Sequence, residues 1–539
     1  MHFNLLIRFC LVSFLFLIGG CEKQEITDIT SQTDAPAAAT ATTADLRCMA
    51  LEKLELPGYD LEITTVRHIT SVEQLNKNRL NDAALSAFAP FCKIEGYFER
   101  RTGAQGKPYA IGFGLNLPDQ WNGRFLFQGG GGLNGLIRDP LGHLATGNSP
   151  ALFRGFAVAS TDSGHQSDSV FNPDFLADQR ALLNFYHEAV AKTTQLAKTI
   201  VQQYYNGQID HSYFAGCSTG GREALTMSQR FPEFYDGIIA GAPARVTNYS
   251  EIADLWSAKR LQAVAEANAG KPFTETQQAL IVSSLLDQCD AKDGLKDGYI
   301  LDVDGCDFAP AQLQCSGDNT ESCLSQGQVE ALTEAFAGPK QDNGKNIYPG
   351  FYFDTGISAK GDRGIPGLLQ AVPGPLGKTR EHLEFDIERE LEYANNSPLA
   401  PGNATLTNLS TFSGNGGKLM LFHGVSDPWF SAKDTLGYYR KMTVMNGGSD
   451  QVTNWSQFYF VPGMGHCFGG EQALDEFDML TPLMDWVEKG EAPVSVAAGS
   501  SSTPEISRPL CPYPGVSTYL GEGDVNNPAS YTCRLPENQ

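Results

Sequence analysis

Ser212-Tyr213-Phe214-Ala215, then Gly216-Cys217-Ser218-Thr219-Gly220-Gly221, then Arg222-Glu223-Ala224-Leu225-Thr226-Met227 decide the reading of this chain. The first four residues are a short apolar run and the last six read as a helix. Between them stands Gly-x-Ser-x-Gly. A strand, a sharp turn and a helix with serine at the turn lift a hydroxyl to the end of a sheet. The turn is so tight that side chains at Gly216 and Gly220 would collide with neighbouring backbone.

Outward from this turn the chain alternates. Upstream, Tyr109–Phe113, Arg124–Gln128 and Phe156–Ser160 read as strands. A long helix follows, with Leu182, Phe185, Tyr186, Ala189, Thr193, Leu196, Ala197, Ile200 and Tyr204 at helical spacing. Downstream comes the apolar run Gly237–Gly241. From Val246 to Leu409 the rhythm breaks into Asp-Gly and Pro-Gly turns with four cysteines, the pattern of an inserted domain. Strands resume at Lys418–Phe422 and Gln457–Val461, and a last helix is expected over Glu476–Glu488. Strands alternating with helices predict a mostly parallel α/β sheet. With the serine turn, they predict an α/β-hydrolase fold in two pieces, 47–245 and 410–539, interrupted by a lid domain at 246–409.

A serine needs a base, and the base needs an orienting carboxylate. On this fold the order is Ser, then Asp or Glu, then His. Asp427, in Phe422-His423-Gly424-Val425-Ser426-Asp427-Pro428, lies just past a strand. His466, in Val461-Pro462-Gly463-Met464-Gly465-His466-Cys467, lies in the loop after the next. Ser218 is therefore expected as nucleophile, His466 as general base and then acid, and Asp427 as the residue that holds the imidazole. His423 and His165 read as structural or substrate-adjacent. The developing oxyanion calls for two N–H donors. Thr219 follows the nucleophile, and Gly132 (or Gly131) lies in the glycine-rich run Gln128–Gly135.

The chain has 539 residues, twelve cysteines and a formal net charge of -23. Such acidity disfavours nucleic acid and anionic membrane surfaces as partners. His2, Arg8 and the apolar run Phe9–Ile18 resemble a signal segment over residues 1–20. The run ends in Leu17-Ile18-Gly19-Gly20-Cys21, so Cys21 is expected to be lipidated, giving export with a lipid anchor in the bacterial outer membrane or a periplasmic location. Residues 21–46, rich in Thr, Ala, Asp and Gln, read as a flexible tether. Ten cysteines remain, an even number that implies disulfides in an exported chain. Spacing suggests Cys289–Cys306, Cys315–Cys323 and Cys511–Cys533 as local bridges, with Cys48–Cys92 stapling the N-terminus. Cys217 and Cys467 are left. If Ser218 and His466 meet, these neighbours are brought together, and a bond between them would clamp nucleophile to base. Closing so long a loop is worth about 5 kcal/mol on chain-entropy grounds.

The segment Cys289–Tyr299 holds three carboxylates and tight Asp-Gly turns. Carboxylates so close repel unless a hard cation joins them, which points to structural calcium. Side-chain oxygens of Asp290, Asp293 and Asp297 and the carbonyls of Leu295 and Tyr299 are the expected ligands. Nothing suggests an organic cofactor.

Gly-Cys-Ser-x-Gly-Gly, Asp427, His466-Cys467 and the ending Arg508-Pro509-Leu510-Cys511-Pro512-Tyr513-Pro514 together resemble the tannase and feruloyl esterase family over nearly all of the chain after Cys48. The resemblance implies a serine carboxylesterase acting through an acyl-enzyme on small esters of aromatic carboxylic acids, of feruloyl or galloyl type. It also implies a disulfide between the cysteines flanking the catalytic Ser and His, and a calcium loop in a large lid. In the branch that cleaves terephthalate monoesters, an aromatic residue three places after the catalytic Asp meets the substrate, and Phe430 matches it. No residue here is matched to that branch's lid arginine. Terephthalate-monoester hydrolysis and a serine peptidase on the same fold are the alternative activities. A surface lipoprotein that binds plant polymers without catalysis is the rival from another class.

Overall fold

A nine-stranded mixed sheet runs through the protein in the order β1-β2-β3-β5-β4-β6-β7-β8-β9. Its strands are β1 (Glu62–Ile69), β2 (Phe91–Thr102), β3 (Pro108–Pro118), β4 (Arg124–Gln128), β5 (Ala157–Thr161), β6 (His211–Cys217), β7 (Gly237–Gly241), β8 (Lys418–Gly424) and β9 (Ser456–Val461). The structure is a computed structural model. It describes residues 42–76, 80–265, 268, 270–317, 322–380 and 384–536. The signal segment, Cys21 and most of the tether lie outside the described residues.

Strands β5, β4, β6, β7, β8 and β9 pair in parallel, and β1, β2, β3 and β5 pair antiparallel. The expectation of a mostly parallel sheet thus holds for one half, and the other half ends in a long antiparallel meander. The parallel strands are buried on both faces. Phe125 and Phe127 of β4, Phe214 of β6 and Leu419 and Leu421 of β8 share a core with the helices Ala189–Tyr205, Thr219–Arg230 and Ala432–Met445. Leu126, Tyr213, Ala215, Met420 and Phe422 point the other way, to the helix Leu480–Lys489. This two-residue alternation is the pleat. Each of the Leu, Met and Phe side chains, fully buried, contributes about 1.5–3 kcal/mol.

Between β7 and β8 the chain leaves the sheet. The helices Thr247–Gln262, Glu275–Cys289 and Gln326–Ala337 pack around a core of their own that includes Phe273, Ile281, Leu285, Leu332 and Phe336. Thr274 and Ser325 cap two of these helices, each in a capping box with a glutamine three residues on. Those glutamines, Gln277 and Gln328, are hydrogen-bonded to each other at 3.0–3.1 Å. One polar link thereby fixes two helix starts.

Three sequence expectations are corrected. The tether ends earlier than Leu46: Thr43–Met49 is a helix, tied down by Cys48–Cys92 and by the Asp45–His68 pair. The long helix is interrupted by a π-helical turn at Asn184–Glu188, where the backbone gains a residue and Phe185 and Tyr186 remain buried. The last helix begins at Leu480, not Glu476. Glu476–Phe477 is instead drawn into strand pairing with Ala498–Gly499, and Asp478 caps the Thr481 N–H at 3.0 Å.

Candidate active site

Four loops leave the carboxyl ends of neighbouring parallel strands at one edge of the sheet. They follow β4, β6, β8 and β9 and carry the glycine-rich run, Ser218, Asp427 and His466. Ligands of open α/β sheets bind outside this edge.

Ser218 has φ +64° and ψ −125°, a backbone that L-residues rarely adopt. It is enforced on both sides. The Ser218 N–H donates to the Gly241 carbonyl at 3.1 Å, and the Ser218 carbonyl accepts from Ala244 at 2.9 Å. A Cβ on Gly216 would fall 2.3 Å from the Gly220 oxygen, and one on Gly220 would fall 2.7 Å from the Gly130 oxygen. The serine is thus lifted onto the end of β6 as the helix Thr219–Arg230 begins.

Asp427 is buried, and all its partners are in the two loops after β8 and β9 or in β8 itself. Oδ1 accepts from the N–H groups of Trp429 (2.9 Å) and Phe430 (3.0 Å), and Oδ2 from His466 Nδ1 at 2.6 Å. His423 Nε2 lies 3.2 Å from the same Oδ2 and donates to the Phe430 carbonyl at 2.8 Å. Burial alone would raise the Asp427 carboxyl. The His466 and His423 rings outweigh it and hold the group well below the usual carboxylate range. An ionised carboxylate only accepts, so His466 Nδ1 carries the proton and Nε2 is left as an acceptor. His423 belongs to the support: Thr435 Oγ1 fills its Nδ1 at 2.8 Å. His165 does not reach the site. It is buried in a stack on Phe175, 3.9 Å between ring centroids, and burial pushes its imidazole down to about 4.

The Cys217–Cys467 disulfide joins the residue before Ser218 to the residue after His466, with 6.0 Å between Cα atoms. The other four expected pairs, Cys48–Cys92, Cys289–Cys306, Cys315–Cys323 and Cys511–Cys533, are also formed. Bonds of this kind belong to oxidising compartments. No helix among the described residues is long and apolar enough to cross a membrane.

Ser218, Thr219, Gly132, His466 and Phe430 line one cavity of about 700 Å³. The imidazole is bracketed by the rings of Trp429 and Phe430, at 5.2 and 5.1 Å. In the glycine-rich loop, the Gly129 N–H donates to Ala215 and the Gly130 N–H to Glu223 Oε2. Those of Gly131 and Gly132 meet no acceptor among the described residues. Thr219 Oγ1 donates to the Gly132 carbonyl, locking the two expected donors side by side.

Sequence reasoning missed the residues that hold this arrangement. Glu223 is buried, and its Oε1 accepts from Asn134 Nδ2 (2.7 Å) and Ser163 Oγ (3.1 Å), so the helix of the serine turn also anchors the glycine-rich loop. Asp354, from the insertion, accepts on one oxygen from Ser426 Oγ (2.8 Å) and the Gly463 N–H (2.7 Å). It therefore ties the acid loop to the histidine loop. No local pattern marks Glu223, whose neighbours one helical turn away are Thr219, Gly220, Thr226 and Met227, and none marks Asp354.

The expected calcium ligands stand away from the cavity. Asp290 Oδ1 and Oδ2 accept from the N–H groups of Asp297 and Gly298, and Asp293 accepts from Leu295 and Leu301. Asp297 accepts from the Tyr299 N–H and pairs with Arg508 at 2.5 Å. The carboxylates do not converge, and no group of three or more His, Cys, Asp or Glu among the described residues has metal-holding geometry. The donor chemistry fits a hard cation all the same. Asp290 and Asp293 are 2% and 1% exposed, and neither has an ion-pair partner among the described residues.

Residues 92–366 and 385–534 match the family model for tannase and feruloyl esterase. The chain is 35% identical over 527 residues to mono(2-hydroxyethyl) terephthalate hydrolase of Piscinibacter sakaiensis, covering 84% of this chain and 86% of that one. It is 28% identical over 448 residues to feruloyl esterase B of Aspergillus niger, covering 77% and 82%. The crystal structure of feruloyl esterase B from Aspergillus oryzae superposes with a TM-score of 0.74 at 24% identity, over 91% of this chain and 99% of that one. The fold is that of the α/β-hydrolases. The chain belongs to the tannase and feruloyl esterase family and is a carboxylic ester hydrolase.

Proposed function

We propose that this protein hydrolyses esters of aromatic carboxylic acids through an acyl-enzyme on Ser218. His466 Nε2 takes the Ser218 hydroxyl proton as Oγ attacks the ester carbonyl. The oxyanion receives the N–H groups of Thr219 and of Gly132. The intermediate collapses as His466 returns the proton to the leaving alcohol. A water then attacks the acyl-serine, His466 takes its proton and gives it to Ser218 as the acid departs. Asp427 stays ionised throughout and stabilises the imidazolium. Phe430 and Trp429 flank the imidazole and offer an aromatic acyl group a face. The observation that carries this reading is the 2.6 Å Asp427–His466 hydrogen bond beside a disulfide that fastens His466 to the serine turn.

The named activities of the relatives, on feruloyl esters and on a terephthalate monoester, support the aromatic acyl group. Turnover of methyl ferulate, methyl gallate, a terephthalate monoester and a peptide tests it. Ester cleavage without peptide cleavage is the expected result, and peptide cleavage alone would contradict it. The insertion at 246–409 serves as the lid over the cavity. Side-chain oxygens of Asp290, Asp293 and Asp297 and the carbonyls of Leu295 and Tyr299 would hold calcium in a bracing role. Chelation is expected to lower Tm more than it lowers kcat, read by calorimetry beside assay. Cys21 carries the lipid of an exported protein.

A further inference from the structure

Glu223 lies in the first turns of the helix that follows Ser218 and is 1% exposed. Arg222, beside it in the chain, is buried too, yet the two do not pair. Arg222 donates to the carbonyls of Phe185, Tyr186 and Gly402 at 2.9–3.3 Å. Glu223 has no ion-pair partner among the described residues and faces three neutral donors. Oε2 accepts from the Gly130 N–H at 2.8 Å, and Oε1 from Asn134 Nδ2 at 2.7 Å and Ser163 Oγ at 3.1 Å. Both oxygens act as acceptors, a pattern that suits an ionised carboxylate and that an amide cannot copy.

Gly130 and Asn134 stand two residues before and two residues after Gly132. Glu223 therefore grips both flanks of the residue expected to donate to the oxyanion, while Thr219 Oγ1 holds that residue's carbonyl. The stretch needs holding. Gly132, Asn134 and Gly135 have φ of +58°, +54° and +83°, a left-handed run that the backbone does not keep unaided. Asn134 Oδ1 meets no donor among the described residues, so the side chain is fixed through Nδ2, which reaches Glu223 and Ser163. Ser163 brings in the loop after β5. One carboxylate thus joins the loops after β4 and β5 to the helix of the nucleophile. Glu223, Asn134 and Ser163 are not among the residues that line the cavity, so this network acts from behind the hole and not on the substrate.

We propose that Glu223 is the positioning residue of the oxyanion hole: it sets where the Gly132 N–H stands relative to Ser218 and the Thr219 N–H. This rests on the acyl-enzyme reading above. A donor placed by Glu223 counts for more as negative charge develops on the carbonyl oxygen, so the residue affects the transition state and leaves substrate binding nearly alone.

The test uses the full chain and methyl ferulate. Turnover is counted per site titrated to completion with a fluorophosphonate, so that lost folded protein does not register as lost rate. In Glu223→Gln, which keeps the shape and gives up one acceptor, kcat is expected to fall about 100-fold while KM stays within about threefold. An arylboronic acid, whose tetrahedral adduct with Ser218 puts an oxygen in the hole, should bind about 100-fold more weakly. 4-Hydroxycinnamyl alcohol, which has no carbonyl, should bind as it does to the wild type. Asn134→Gly keeps the left-handed backbone and removes the amide, and kcat is expected to fall about tenfold. The double variant should lie within about threefold of Glu223→Gln, because both changes break one link. If Glu223→Gln does not fold, Asn134→Gly decides. A folded Glu223→Gln with kcat within about threefold of wild type would overturn the positioning role alone. So would a loss shared equally by the boronic acid and the alcohol, or an Asn134→Gly with unchanged kcat. A wild type that turns over neither methyl ferulate, methyl gallate nor a terephthalate monoester would overturn the esterase reading as well.

Discussion

On the sheet side of the cavity, Ser218, Asp427 and His466 stand on loops from β6, β8 and β9, one, three and five residues past the ends of those strands. Backbone N–H groups of Trp429 and Phe430 hold the Asp427 carboxylate, and a disulfide closes the gap between the serine and histidine loops. On the insertion side, Glu251 and Asp254 come from one helix, Gly374 from a loop 120 residues on, and Arg380 from the segment after it. The first wall is held by local geometry that any substrate would meet. The second is assembled from distant pieces around buried carboxylates. The two walls are thereby built on different scaffolds and can be perturbed separately.

The largest effect is expected where the sheet side loses its charge. Asp427→Asn leaves the shape but presents His466 with a donor as well as an acceptor, and kcat should fall by about 10⁴. Because Asp427 is held well below the usual carboxylate range, the wild type should keep this residue ionised across ordinary assay pH. Any acid-side loss of rate then belongs to another group, a point that pH profiles of the wild type can check. A smaller effect is expected at the strap. Cys217→Ala combined with Cys467→Ala removes the closure of a 250-residue separation and should cost about 2–5 kcal/mol of stability in urea unfolding. It should also lower kcat by roughly 10–100-fold, since about 1 Å of misplacement costs that much. If kcat is unchanged in the folded double variant, the disulfide is a stabiliser and not a clamp.

The junction between the two walls should respond least. Asp354→Ala leaves the Ser426 hydroxyl and the Gly463 N–H unpaired in a buried place, at about 1–3 kcal/mol each. The acid and histidine loops would loosen together, so kcat should fall by roughly tenfold while KM stays near its wild-type value. A change confined to KM would place Asp354 with the insertion wall instead.

The same division explains what could be read in the sequence. The serine turn, the acid loop and the histidine loop each announce themselves within a few residues, because tight backbone geometry demands Gly, and catalysis demands Ser, Asp and His in a fixed order. The strands β4, β7 and β8 were legible as apolar runs since they are buried on both faces. The antiparallel half was legible only in part: β3 was read as Tyr109–Phe113 alone, and β1 and β2 were not singled out. Exposed and buried positions mix in β1 and β2, and β2 carries Glu99, Arg100 and Arg101 at its end. The insertion stayed opaque. Its helices obey ordinary capping rules, but nothing near Asp354 or Asp254 in the chain says what each will face, because their partners lie tens to more than a hundred residues away.

The central claim is that Ser218, with His466 as its base, forms the acyl-enzyme. Labelling with a fluorophosphonate that mimics the ester, followed by peptide mapping, addresses it directly. The wild type is expected to carry a single adduct on Ser218 and to lose ester turnover in step with labelling. Ser218→Ala is expected to take no label and show no turnover above background, with an unchanged Tm. Turnover that persists in Ser218→Ala, or an inactivating adduct on another residue, would contradict the account.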